Sequence, residues 1–240
     1  LSVEKVSTLN GNVILSESLS VAKAVDILGS LNINSSVNIK DRLIVKDTLS
    51  VAGASTLLGV TTMSNNATIA GTLSVSSNTE VVGKLNVGSS VNIKDSLTVA
   101  STLSIAGAST LVGVTTMSNN ATIAGTLSVS KAVDIVGSLN VNSSVNIKNR
   151  LIVKDTLSVA GASTLVGGTT MSNNATVAGT LSVSSNAEVV GKLNVGSSVN
   201  IKDSLTVAST LSIAGGSTLS GITTMGNNAT VAGTLSVAKA

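Results

Sequence analysis

Every sixth residue from Val3 to Val237 is Val, Ile, Leu or Met, without exception over 40 positions. Two residues before each of these lies a second series, Leu1, Ser7, Val13, Leu19 and so on to Leu235, filled only by Leu, Val, Ala, Ser or Thr. The residue between the two is usually Ser, Thr or Asn, as in Thr56, Thr62, Thr68 and Ser74. In–out–in alternation of this kind marks a short strand with one buried face. Two residues after the aliphatic come the corner residues: 17 of the 40 are Gly and another 10 are Asn or Asp. These types adopt positive φ most cheaply, so the hexad implies a strand of about four residues and a corner turned through left-handed backbone.

Six residues suit one side of a triangular coil, and three sides make a coil of 18 residues. Coils stacked about 4.8 Å apart as parallel strands give an all-β parallel β-solenoid of roughly 13 coils, a rod roughly 60 Å long. The hexad leaves the hand of the coil open. Residues 1-240 read as a single continuous solenoid and as a slice of a longer array, because the repeat begins at Leu1 with no leader before it. Each coil turns six side chains inward, each worth about 1–2 kcal/mol of burial before entropy is subtracted. Ser55, Thr61 and Ala67 are small inward residues that share a coil with the larger Leu57, Met63 and Ile69. The chain has no Pro and no aromatic residue, which fits a narrow prism with unbroken ladders.

Longer repeats overlie the hexad. The phrase GASTLVGVTTMSNNATIAGTLSVS at 107–130 recurs with few changes from Gly53, Gly161 and Gly215, a 54-residue spacing. Residues 131–163 match 23–55 closely, which makes a 108-residue superrepeat of two halves. Duplication by whole coils explains both more simply than a functional ruler. Lys40, Lys94, Lys148 and Lys202 fall three coils apart, roughly 14 Å, beyond a Debye length at physiological salt. Asp26, Glu80, Asp134 and Glu188 form an acidic series with the same spacing. The outward columns are expected to mix Thr with Ser, Asn and charge, and Glu80 near Lys84 reads as a surface ion pair.

Chemistry is sparse. With 14 basic and 11 acidic residues the charge is +3, and no basic cluster interleaves with aromatic rings to stack bases, so no nucleic-acid partner is expected. There is no Cys for a disulfide or thiolate site, and no apolar run long enough to span a membrane. Neither a cofactor nor a metal is expected. Asn66, Asn120, Asn174 and Asn228 open N-A-T sequons, and Asn34 and Asn142 open N-S-S; corner residues arising by chance explain them better.

The hexad resembles the left-handed β-helix acyltransferases in fold, but those enzymes use a catalytic His and this chain has none, so no activity carries over. The wording G-T-L-S-V and S-T-L-x-G-x-T-T-M also looks like the repetitive shafts of phage and large-virus tail-fibre-like proteins. The G-x-L-x-V phrase is similar to bactofilins, cytoskeletal solenoids that polymerise end to end. These resemblances imply a non-enzymatic fibre or shaft on a virion or cell surface, with a bactofilin-like filament as the alternative. A ligand- or ice-binding solenoid is a third reading from another class. Self-association is the expected partnership, end to end or lateral, with an intertwined trimer still open. Leu58, Val60, Val112, Val114 and Val166 on one corner, with Ile222 near them, and Leu28, Val82, Val136 and Val190 on another, are candidate lateral contacts.

Overall fold

Strand pairing follows the 18-residue stride. In the computed structural model, which describes residues 1–238, Thr56 lies beside Ser74, Thr62 beside Glu80 and Thr68 beside Asn86, all in parallel register. Forty short strands return in three sheets: sheet A starts at Ser2–Val3, sheet B at Ser7–Leu9 and sheet C at Val13–Leu15. The fold is an all-β parallel β-solenoid of about 13 triangular turns. It divides into two compact units, Leu1–Asn119 and Asn120–Ala240, each with its own share of all three sheets. The final hexad residues, Lys239 and Ala240, lie outside the described residues.

Strands are shorter than the hexad implies. Each spans three residues (two in the first), and every connection is a three-residue corner. The fourth residue still donates its N–H to the coil before it, as Leu58 does to the Ile39 carbonyl at 2.9 Å. Its own backbone then turns away, so the ladder is four donors long while the extended segment is three.

The core is six columns of inward side chains, two on each of the three sheets. From Leu19 to Leu219 the first and third residue of every strand is buried. Val75 and Ile93, for example, are 1% and 0% exposed. The small inward residues hold their places: Ser55, Thr61 and Ala67 are buried in the coil that carries Leu57, Met63 and Ile69. Large third residues thus offset small first ones within one layer, which keeps the layer near native packing density.

The corners overturn one expectation. Among the described residues none has positive φ, glycine included. Glycine is there for close approach instead. At Gly53 a Cβ would run into the Ser35 carbonyl one coil earlier, and the Gly53 N–H donates to that same carbonyl at 2.6 Å. At Gly59 a Cβ would overlap the Asp41 carbonyl. The corner stack is so tight that one coil's backbone touches the next.

Candidate interaction surfaces

Each corner joins two sheets, and the joining decides what shares a side. Residues 40–42 and 58–60 lie at the A–B corner, 28–30 and 82–84 at the B–C corner, and 52–54 and 106–108 at the C–A corner. Leu58, Val60, Val112 and Val114 in the first unit, and Val166 and Ile222 in the second, stand at the A–B corner. Leu28 and Val82 in the first unit, and Val136 and Val190 in the second, stand at the B–C corner. All ten are 41–59% exposed. The two groups therefore flank sheet B on opposite edges and do not meet in one patch. At Leu58–Gly59–Val60 the chain bends at the glycine alone, one coil after Lys40–Asp41–Arg42.

The charges follow the same side. The hexad leads one to expect outward columns that mix Thr with Ser, Asn and charge; the structure gathers the charge on one side. Of the 24 charged residues described, all but Glu17 lie on sheet B or on the two corners that flank it. Lys40 and Lys94 stand at the A–B corner of the first unit, Lys148 and Lys202 at that of the second. Asp26 and Glu80, and in the second unit Asp134 and Glu188, are the mid-strand residues of sheet B. Among the described residues the ion pairs are Arg42–Asp26 at 3.2 Å and Arg150–Asp134 at 3.4 Å. Both are partly exposed, so each contributes about 0–1 kcal/mol. The expected Glu80–Lys84 pair does not form: Glu80 stands on the sheet face, and Lys84 on the corner makes no ion pair with it.

Sheets A and C carry no charge on their outward columns. In the first unit sheet A presents Asn38, Thr56, Ser74, Asn92 and Thr110 in stacking order, and sheet C presents Asn32, Ser50, Thr68, Asn86 and Ser104. Both series repeat every three coils. This regularity escaped the hexad reading, because stride six passes through all three sheets in turn. Stride 18 shows it at once.

Two open grooves lie on the sheet faces, one on sheet B and one on sheet C. One, of about 400 Å³ on sheet B of the first unit, is lined by Val60, Thr62, Asn78, Glu80 and Thr98 among others. The other, of about 490 Å³ on sheet C of the second unit, runs along Ala178, Gly196, Ala214 and Ala232 beside Asn194 and Ser212. Corner asparagines have structural work. The Oδ1 atoms of Asn66, Asn120 and Asn174 accept from the N–H groups of Lys84, Ser138 and Lys192, each at 2.9 Å. Those are three of the N-A-T sequons, and the bonds give each Asn a role in its corner.

Inside, the hydroxyls of Ser55, Thr61, Ser109, Thr115, Ser163 and Thr169 are buried with no hydrogen-bond partner. Neighbouring backbone groups already pair with each other along the ladders, so little remains to satisfy these oxygens. Among the described residues no three His, Cys, Asp or Glu side chains gather as a metal site, and no helix is long and apolar enough to cross a membrane. No protein-family model matches the chain, and neither does any curated protein or solved structure.

Proposed function

We propose that the chain is a length of structural shaft in a fibre or filament, non-enzymatic, on a virion or cell surface. The observation that carries this reading is the uniformity of the build: every strand after the first is three residues long and every connection between strands is a three-residue corner, with no longer loop among the described residues. Binding and catalysis in proteins are concentrated on loops held by a scaffold. Here the whole chain is scaffold. The resemblance of G-T-L-S-V and S-T-L-x-G-x-T-T-M to tail-fibre-like shafts supports the same reading.

The bactofilin-like filament remains the second reading, on the strength of the G-x-L-x-V phrase. It differs in predicting reversible end-to-end polymers of the isolated chain. Ice binding draws little support from the faces, since only one outward residue in three on sheet A is Thr.

The test is length. Deleting residues 55–108 removes three coils and shortens a rod by roughly 14 Å at ladder spacing, without changing its width. Small-angle scattering and electron microscopy of both chains read this directly. Particles that change in width instead, or that are not elongated, overturn the shaft reading.

A further inference from the structure

The segregation of charge described above leaves sheets A and C, and the corner between them, as one neutral side in each unit. From residue 19 to residue 238 that side contains no Asp, Glu, Lys or Arg. We propose that it is a pairing surface for a second copy of this chain, with the outward column of sheet A in one copy seated in the groove on sheet C of the other. The inference rests on the shaft reading and adds to it the surface by which shafts associate.

Three observations select a second copy as the occupant. The first is electrostatic. Closing neutral side on neutral side buries no charge, and so avoids the desolvation that buried ions incur. It also leaves the sheet B side, with its lysines and acids, facing water.

The second is spacing. The groove floor is a column of one small residue per coil, Ala178, Gly196, Ala214 and Ala232, and its wall is one polar residue per coil. A ridge that fits along it must repeat at ladder spacing, about 4.8 Å. The outward column of sheet A does so, and shares the three-coil period of the sheet C wall. Thr164, Ser182 and Asn200 in one column meet the same three residue types in the opposite order, Thr176, Asn194 and Ser212, in the other. Hydroxyl and amide groups both donate and accept, so these columns can bond to each other in either order.

The third is area. A seven-strand face about 34 Å tall and a side about 20 Å wide present on the order of 650 Å², close to the roughly 800 Å² per partner of a stable interface.

The experiment is sedimentation velocity on the full chain over a concentration series, with circular dichroism to verify β content in each variant. The wild type is expected to associate with rising concentration, and because sheet A meets sheet C the contact is heterologous and can continue past a pair. Ala178→Arg with Ala214→Arg places two charges in the groove at exposed positions, and is expected to weaken pairing by at least about tenfold. Val82→Lys with Val190→Lys, at the B–C corner where Lys84 and Lys192 already stand, adds charge outside the neutral side and is expected to leave pairing within about twofold. If the second variant dissociates and the first does not, the surface is wrong and the aliphatic corners carry the contact. If the wild type stays monomeric while microscopy still shows rods, pairing is overturned and the shaft reading stands. If no rods form, the shaft reading fails and the pairing inference fails with it.

Discussion

The coil at residues 55–72 and the coil at residues 91–108 share one backbone plan but differ inside. The second is lined by Val91, Ile93, Leu97, Val99, Leu103 and Ile105, all buried aliphatics. The first is lined by Ser55, Leu57, Thr61, Met63, Ala67 and Ile69, with two hydroxyls buried and unpartnered. Both stack in the same register on their neighbours. The comparison teaches that ladder pairing sets the shape of a coil, and side-chain volume need only add up across the layer. It also shows that the polar coil carries a stability cost that the aliphatic coil does not, since each buried hydroxyl lacks the bond it made with water.

The largest expected effect comes from emptying the aliphatic coil. Leu103→Ala should lose about 2–5 kcal/mol in chemical unfolding followed by circular dichroism, because its neighbours are ladders that cannot collapse inward. A loss well under that range would mean that the layer relaxes as easily as a surface site. Filling the polar coil tests the other side: Ala67→Leu is expected to destabilise by about 1–3 kcal/mol, since Leu57, Met63 and Ile69 already take up the space. A gain in stability there would show that the layer is underpacked, and that volume compensation is the wrong account.

Thr61→Val is smaller and of opposite sign. The same inward column holds Val25 two coils earlier, so valine fits the backbone, and removing an unpartnered hydroxyl should stabilise by about 1–2 kcal/mol. Denaturant midpoints of the two chains decide it, and a drop would show that the hydroxyl has a partner. Smallest of all is Leu58→Ser at the exposed corner of the polar coil, where the equivalent residue three repeats on is Ser220. Stability should change by less than about 0.5 kcal/mol. Any change in sedimentation with this variant would give the aliphatic corner a role in association.

Much of this was legible beforehand. The inward positions of Val75, Ile93 and their 66 fellows between Leu19 and Leu219 follow from the hexad, because alternation on a strand has period two and a six-residue side restores the phase at every corner. The coil of 18 residues follows as well. The candidate aliphatics Leu58 and Val82 are exposed as the sequence implies. Less legible was that they stand on opposite edges of one sheet, and that the charges gather between them. That required knowing which hexads share a face.

Sequence by itself therefore determined which side chains point inward and that the coils are parallel and stacked, since both follow from short-range alternation and a fixed period. Only the tertiary structure decided why Gly53 and Gly59 are glycine. The obstruction to a side chain there is a carbonyl at Ser35 or Asp41, 18 residues away along the chain but in contact across the corner. Only the structure, likewise, showed that the hydroxyls of Ser55 and Thr61 go without partners, because satisfaction depends on which backbone groups nearby are already paired. Local pattern fixes the direction of a side chain; what it meets there belongs to the coil next to it.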